Sequence, residues 1–242
     1  MGLSKNQLKL ITSLLQKKYR IKNNLFIAEG IKVVREFLNS TYHLEHLFCV
    51  DSSSYKNIER ITLITPAELK KISSLSTPNN VVALFEIPEQ ENIKREGLIL
   101  ALDEINDPGN LGTIIRLCDW FGVDQLICSN NSVDCYNAKV VQASMGSLTR
   151  VSIVYTDLHY YLQHHDLPKY GAMMDGENIY KSNLPKNAIL LMGNEANGIR
   201  NDLLTLLDKT VTIPRFGKLQ QAESLNVASA TAILLSEFNR LP

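Results

Sequence analysis

The sequence predicts an α/β protein with a small N-terminal α/β domain followed by a larger C-terminal domain built on a parallel sheet. Short apolar runs alternate with segments of helical period along most of the chain. The alternation restarts at Gly97, after the charged stretch 89–96. A chain of 242 residues that is 45% hydrophobic can bury two modest cores. We therefore expect one domain at residues 1–90 and a second at 97–242.

The N-terminal domain is predicted to begin with one helix. Apolar residues recur with a helical period from Gln7 to Leu15, and this helix is expected to run on to the polar turn at Asn23 and Asn24. Phe26 and the two residues after it are expected to lead into a second helix. The remaining predicted elements are strands at Leu44–Val50, Ile61–Ile64 and Val81–Ile87, and a helix opened by Thr65-Pro66.

The C-terminal domain is predicted to begin with a buried strand at Leu98–Ile105, because a continuous apolar run is typical of a strand covered on both faces of a parallel sheet. The last segment, from Ser224 to Phe238, is predicted to be a buried helix with Ser224 as its N-cap. Helical segments separate the later strand candidates, which are Val123–Cys128, Arg150–Val154, Tyr170–Met174, Ala188–Met192 and Thr210–Ile213.

The charge of the chain balances to zero, with 25 Lys and Arg against 25 Asp and Glu, so no general attraction to nucleic acid is expected. The distribution is uneven, because six basic residues precede Glu29 with no acidic residue among them. Such a patch can neutralise phosphates, although a solvated helix face explains it equally well. The candidate RNA contacts in this patch are Lys17, Lys18, Arg20 and Lys22.

Several classes of protein are disfavoured by the sequence. No apolar run approaches the roughly 20 residues that cross a bilayer, and the N-terminus does not resemble a signal segment, so we expect a cytoplasmic protein that does not enter membranes. The four cysteines form no CxxC pair and have no histidines at metal-ligand spacing. We therefore expect reduced thiols and no metal.

The first chemically informative segment is NDPGNLGTIIR, where a strand passes into a helix. A helix start presents free backbone N–H groups that suit an anionic ligand. The segment matches neither the dinucleotide fingerprint nor the phosphate loop, which disfavours a nicotinamide-dependent dehydrogenase. Arg116 is predicted to lie opposite the apolar stripe of this helix. It is either functional or simply a solvated arginine.

Two further segments follow later strands. In ILLMGNEANGIR, Gly193 and Glu195 stand at a strand end, where ligands of open α/β sheets bind, although an exposed loop glutamate is a common alternative. In VTIPRFGKLQQAESLNVASA, Asn226 is expected in the first turn of the final helix. A polar side chain there needs partners, which a ligand or the preceding loop can supply.

Taken together, NDPGNLGTIIR, MGNEANGI and IP…ESLNVASA resemble, in this order, the three motifs of the SpoU (TrmH) family of RNA ribose methyltransferases, within the SPOUT superfamily. The N-terminal domain is similar to the substrate-binding domain of many members. The resemblance implies methyl transfer from S-adenosylmethionine to a ribose 2′-hydroxyl of structured RNA. It also implies a deep trefoil knot in the C-terminal domain and a homodimer formed through that domain.

The resemblance also implies roles for individual residues. Arg116 corresponds to the catalytic arginine, and a guanidinium is a poor proton acceptor, so we expect it to hold a phosphate and the developing oxyanion. Whether it serves its own subunit or the other stays open. The residues implied in catalysis are Asn110, Arg116, Glu195, Ser224 and Asn226. The residues implied in cofactor binding are Gly193, Ile213, Pro214, Leu225 and Asn226.

The chain departs from the family pattern between Ile213 and Leu225, where it is a few residues longer. Arg215 stands where methionine is common, and Arg215 and Lys218 are expected to add RNA contacts. Two alternatives stay open: a base-nitrogen methyltransferase of the same superfamily, and a non-catalytic RNA-binding or ribosome-assembly factor. Ribosomal RNA is preferred over transfer RNA as substrate, because the N-terminal module resembles ribosomal-protein folds.

Overall fold

The chain forms two compact units in this computed structural model, which describes residues 2–217, 219 and 224–240. The first unit contains the described residues up to Glu89 together with Asp134–Thr149. The second contains Gln90–Val133 and the described residues from Arg150 onward. The division into domains at 1–90 and 97–242 stays a prediction, and it did not anticipate that Asp134–Thr149 packs with the first unit.

The first unit is built on a mixed four-stranded sheet. Numbered in chain order, its elements are α1 Lys5–Ser13, α2 Lys17–Asn23, β1 Leu25–Glu29, α3 Ile31–Leu38, β2 Leu44–Cys49, β3 Ile61–Leu63, α4 Pro66–Ile72, β4 Val81–Glu86, α6 Ala138–Ser144 and a 3-10 helix Ser147–Thr149. The strand order is β1-β4-β2-β3. β4 is antiparallel to both β1 and β2, and β3 is parallel to β2.

The predicted single N-terminal helix is wrong, because the structure has two helices with a break between them. Arg20 stabilises this break: its Nη1 donates to the carbonyl oxygens of Leu14 at 2.8 Å and Leu15 at 3.0 Å. Its Nη2 lies 2.6 Å from a carboxylate oxygen of Asp134. Arg20 is only 2% exposed. The interpretation of Arg20 as a phosphate contact is therefore wrong, because its guanidinium is buried and forms an ion pair with Asp134.

A strand that the sequence analysis missed precedes α3. All five residues of Leu25–Glu29 are buried, and the strand pairs antiparallel with β4. We expected Phe26 and its neighbours only to lead into a helix. The helix begins after Gly30, whose φ of 86° suits glycine and turns the chain out of the strand.

The second unit is built on a six-stranded sheet. The elements of this unit are β5 Leu98–Leu102, α5 Pro108–Phe121, β6 Gln125–Ser129, β7 Ile153–Thr156, α7 Leu158–Gln163, β8 Lys169–Asn178, a 3-10 helix Ile179–Lys181, β9 Ala188–Met192, α8 Asn201–Leu204, β10 Lys209–Thr212 and α9 Val227–Phe238. The strand order is β10-β8-β9-β5-β6-β7, and every pair is parallel. This confirms the predicted parallel α/β architecture, while the trefoil knot stays a prediction.

The central strands of this sheet match the predicted apolar runs well. β9 coincides with the predicted Ala188–Met192, and all residues of β9 and β5 are buried. β5 ends earlier than expected, at Leu102, because the chain turns at Glu104 with φ 54°. β7 lies a few residues later than predicted and β8 is longer.

The final helix begins at Val227, and its N-cap is Asn226 rather than the predicted Ser224. The Oδ1 atom of Asn226 accepts hydrogen bonds from the backbone N–H of Ala228 at 3.0 Å and Ser229 at 3.3 Å. Ser224 is exposed and lies before the helix. Both residue types cap helices well, and the one that the backbone presents to the first turn takes the role.

Two properties concern only the described part of the chain. No helix there has the length and apolar character required to cross a bilayer. The same residues contain no cluster of three or more His, Cys, Asp or Glu side chains that could hold a metal ion.

Candidate functional site

The candidate site lies in the second unit, where the three segments singled out in the sequence follow β5, β9 and β10. All three strands are parallel members of one sheet. Their carboxyl ends therefore meet at the same edge, which is where ligands of open α/β sheets bind.

The first segment is positioned by the start of α5. Asp107 is the N-cap, and its Oδ1 accepts from the backbone N–H of Asn110 at 2.8 Å. Pro108 occupies the first turn, where its missing N–H costs nothing. Four apolar residues seat the helix on the core, as predicted: Leu111, Ile114, Ile115 and Cys118. This arrangement leaves the side chain of Asn110 partly exposed at the sheet edge.

A chain of hydrogen bonds through Asn110 joins the three segments. Its Nδ2 donates to Oε1 of Glu195 at 2.7 Å. Its Oδ1 accepts from Nδ2 of Asn226 at 2.9 Å. The structure therefore brings together three of the five predicted catalytic residues, one from each segment.

The direction of this chain follows from the chemistry of its two ends. A carboxylate such as Glu195 only accepts, so the group that Asn110 presents to it must be the NH2. At the other end, Oδ1 of Asn226 accepts from the first turn of α9, so its NH2 faces Asn110. Both amide orientations are therefore determined by their partners.

The second segment is a closed turn that requires glycine at its start. Asn194 and Gly198 exchange two backbone hydrogen bonds of 2.9 Å. A Cβ on Gly193 would lie 2.3 Å from the carbonyl carbon of Gly198, so no larger residue fits without moving the turn. Asn194 also donates from Nδ2 to the carbonyl of Glu104 at 2.7 Å. The turn thus holds Glu195 at a defined place beside α5.

A buried ion pair that the sequence analysis missed supports the far end of this turn. Asp103, which is fully buried just after β5, accepts from the backbone N–H and from Nε of Arg200, both at 2.9 Å. Burial opposes the charge of Arg200, but the hydrogen bond and charge of Asp103 raise the pKa of Arg200 above its ordinary value. The available sequence signal was an aspartate placed directly after a fully apolar strand.

The third segment supplies apolar side chains and irregular backbone. Ile213 and Pro214 are partly buried after β10, and the side chain of Leu225, just before the N-cap of α9, is 50% exposed. Arg215 is exposed beside them. Lys218 lies outside the described residues.

Arg116 is exposed on α5, as predicted, but the hydrogen-bond chain through Asn110 does not reach it within the described part of this chain. Six residues separate it from Asn110, which places it about 9 Å further along the helix and about 120° around it. Trp120 lies one turn beyond Arg116 on the same face and is 84% exposed. The hydrogen bonds of Asn110 with Glu195 and Asn226 therefore do not orient Arg116 within the described part of this chain.

The three lysines of the predicted basic patch are all exposed on α2 in the first unit. Lys17, Lys18 and Lys22 project from a helix that carries no acidic residue. The ammonium of Lys18 lies 4.9 Å from the centre of the Tyr19 ring. Without Arg20, the patch still presents three positive charges.

Comparison with known proteins finds two family matches. A sequence model of the SpoU rRNA Methylase family matches residues 97–236. A model of the MRM3-like substrate binding domain matches residues 5–83.

Individual proteins are also similar over most of the chain. The 23S rRNA (guanosine(2553)-2′-O)-methyltransferase RlmP of Bacillus subtilis is 31% identical over 90% of both chains. The structure of an RNA methyltransferase of the TrmH family from Porphyromonas gingivalis superimposes with a TM-score of 0.89, 37% identity and 98% coverage of both chains. An rRNA methyltransferase of Sinorhizobium meliloti with AdoMet bound gives a TM-score of 0.87 and 28% identity, covering 98% of this chain and 95% of its own.

Proposed function

We propose that this chain, which belongs to the SpoU rRNA Methylase family, transfers a methyl group from S-adenosylmethionine to a ribose 2′-hydroxyl of ribosomal RNA. Membership confirms the resemblance carried by the three motifs. It also makes the chain an S-adenosylmethionine-dependent RNA ribose methyltransferase. The observation that carries the residue assignment is the hydrogen-bond chain from Glu195 through Asn110 to Asn226.

The residues of the third segment suit the cofactor. An adenosine needs apolar contacts for its ring and backbone groups for its polar edge, and cofactor sites are commonly lined in this way. Ile213, Pro214 and Leu225 offer apolar surface on irregular backbone at the sheet edge. Gly193 brings the backbone of the second segment close to the same edge. When bound, S-adenosylmethionine supplies an electrophilic methyl group on a sulfonium.

The remaining task is to align and activate a ribose hydroxyl, which is almost wholly protonated at neutral pH. Alignment and stabilisation of the developing alkoxide are the two contributions that a protein can make. We assign the second to Arg116, whose guanidinium offers five donors and stays charged. It holds the phosphate beside the target ribose and the oxygen on which negative charge develops.

Asn110, Glu195, Ser224 and Asn226 serve the alignment. Asn110 holds the three segments together through two hydrogen bonds. A carboxylate accepts more hydrogen bonds than the single one from Asn110, so Glu195 keeps capacity for a donor group of the substrate or cofactor. Ser224 is exposed two residues before the N-cap, and we assign it a contact with the ribose.

We propose that the enzyme is a homodimer in which α5 packs against a second copy. A tryptophan that is 84% exposed is unusual on a monomer surface and is typical of an interface. Trp120 and Arg116 share one face of α5, so an interface there carries Arg116 toward the second subunit. This arrangement accounts for the separation of Arg116 from the hydrogen-bond chain of its own subunit.

The preferred substrate is ribosomal RNA rather than transfer RNA. The first unit matches a substrate-binding domain and presents Lys17, Lys18 and Lys22 to solvent. The relative from Bacillus subtilis is named for 23S rRNA. Structured RNA is recognised by shape, by phosphate contacts and by unstacked bases, which suits a separate basic unit. Because ribosomal RNA is assembled into ribosomes that work in the cytoplasm, we place the enzyme there.

The proposal is tested first by titration calorimetry with S-adenosylmethionine, using NAD as the control ligand. Transfer of tritiated methyl is then measured on unmodified 23S ribosomal RNA and on transfer RNA, with the native protein and Arg116→Ala. We expect binding of S-adenosylmethionine only, transfer to 23S RNA only, and turnover reduced by orders of magnitude in the variant with unchanged cofactor affinity. Normal turnover by Arg116→Ala would overturn its assigned role.

A further inference from the structure

Two aromatic side chains of the second unit, Tyr180 and Phe216, face each other at the protein surface. Their ring centres are 6.3 Å apart and the planes are tilted by 34°. Phe216 is 82% exposed, and Tyr180 is also exposed. Tyr180 lies outside the three segments that form the site, and Phe216 lies in the third segment, where it has no assigned role. Burial of these two rings would stabilise the protein, so their exposure indicates an interaction site.

The ring of Tyr180 is attached to well-held backbone. Tyr180 lies in the 3-10 helix that follows β8, where Asn178 accepts from its N–H at 3.0 Å and Ile179 is fully buried. Phe216 lies two residues after Pro214, in the segment to which we assign cofactor contacts. The pair therefore adjoins the proposed site of methyl transfer.

Two basic residues adjoin the pair in the sequence. Lys181 follows Tyr180, Arg215 precedes Phe216, and both are exposed. Aromatic rings next to cations form the usual surface for single-stranded nucleic acid, because bases stack on the rings while the cations contact the phosphates. Phenylalanine offers no hydrogen-bonding group, so stacking is the interaction it provides.

We infer that Tyr180 and Phe216 form a platform on which an unpaired base of the substrate RNA stacks, next to the ribose that receives the methyl group. This inference rests on the proposed function, because it assumes RNA at this edge of the sheet. Methylation of a ribose in structured RNA requires access to its 2′-hydroxyl, and proteins gain such access at nucleotides whose bases are splayed out. The platform would hold one such base and so fix the position of the reacting nucleotide.

The test uses the full-length protein and an unmodified 23S ribosomal RNA transcript. Both the dissociation constant for this RNA and the KM in methyl transfer are measured for the native protein, Phe216→Ala, Tyr180→Ala and Phe216→Trp. We expect each alanine variant to raise both constants by roughly 5- to 150-fold, the effect of losing one stacked base. Phe216→Trp should restore them, because its ring also stacks. The affinity for S-adenosylmethionine should stay within about twofold of the native value.

Tyr160 supplies the matched control. It is an aromatic residue of α7 that is 64% exposed, and its ring stacks on His164 with centres 4.2 Å apart. Tyr160→Ala should leave both RNA constants unchanged, which separates loss of the platform from loss of any exposed aromatic ring.

Three outcomes would overturn the inference: unchanged RNA constants in both alanine variants, an equal effect of Tyr160→Ala, or a loss confined to S-adenosylmethionine affinity. The last would assign the rings to the cofactor. Circular dichroism identifies a variant that fails to fold. If Phe216→Ala is such a variant, the RNA constants of Phe216→Trp and Tyr180→Ala decide whether the two rings bind RNA. A native protein that binds the RNA but transfers no methyl group would contradict the proposed function, while the dissociation constants would still judge the platform.

Discussion

The amide Nδ2 of Asn226 donates to Oδ1 of Asn110 at 2.9 Å, across 116 positions of the chain. The other end of the Asn226 side chain caps α9 by accepting from two backbone N–H groups. One residue therefore serves the stability of the last helix with its oxygen and the assembly of the site with its nitrogen. These two roles can be separated by mutation.

Asn226→Ala removes both roles, whereas Asn226→Asp keeps the capping oxygen and replaces the donor that faces Asn110. We expect the alanine variant to lose about 0.5–2 kcal/mol of stability, the usual cost of losing an N-cap. The aspartate variant should melt near the native temperature, since an acid at a helix N-terminus is favourable. Both should bind S-adenosylmethionine more weakly in calorimetry. Native affinity in the aspartate variant would show that the link to Asn110 does not shape the cofactor loop.

Mixing Arg116→Ala with Asn226→Ala tests whether Arg116 acts across the dimer, at an S-adenosylmethionine concentration too low for the Asn226→Ala subunit to bind it. In a heterodimer of Arg116→Ala and Asn226→Ala subunits, one site keeps Asn226 and receives Arg116 from the other subunit. We therefore expect activity to return when the two variants are refolded together, up to one working site per heterodimer. If Arg116 serves its own subunit, both sites stay defective and no activity returns. Each variant refolded alone is the control.

Gly193→Ala should disrupt the second segment, because the new Cβ would lie 2.3 Å from the carbonyl carbon of Gly198. Backbone at this distance has to move, which displaces Glu195 from Asn110. We predict a loss of cofactor affinity of at least tenfold and a lower melting temperature. Gly217→Ala is the control for stability, since a Cβ there meets nothing within 4 Å. Equal melting temperatures for the two variants would contradict the steric argument.

Arg200→Ala should be more destabilising than an ordinary surface substitution. The substitution leaves the carboxylate of Asp103 fully buried. Of its two hydrogen bonds from residue 200, only the one from the backbone N–H remains. Because the arginine is partly exposed, we expect a loss of about 2 kcal/mol, less than for a fully buried pair. Chemical denaturation measures it. Asp103→Asn should cost less, since an uncharged amide is cheaper to bury, and the opposite ranking would refute this account.

The elements that the sequence predicted best are those whose burial depends on a local pattern. Strands such as Ala188–Met192 are covered on both faces, so an unbroken apolar run marks them. Leu25–Glu29 is also fully buried, but it is short and its partner β4 begins more than 50 positions later. Nothing local distinguishes it from the start of a helix.

The candidate site followed a similar rule. Its three segments were found because each follows a strand with a recognisable pattern, whereas the contacts among them depend on tertiary structure. The pairing of Asp103 with Arg200 spans 97 positions, and that of Arg20 with Asp134 spans 114. The sequence alone could not predict that Arg20 is buried in an ion pair with Asp134 while Lys17 stays exposed.

The position of the transferred methyl group tests the central claim most directly. Ribosomal RNA incubated with the native protein and labelled S-adenosylmethionine is digested to nucleosides and analysed by mass spectrometry. We predict a single labelled 2′-O-methyl nucleoside, reduced by orders of magnitude with Arg116→Ala. In the undigested RNA, the phosphodiester on the 3′ side of this nucleotide should resist alkaline hydrolysis, because the neighbouring hydroxyl is blocked. A label on a base nitrogen would contradict the ribose assignment, and no label despite binding of both RNA and cofactor would contradict the catalytic function.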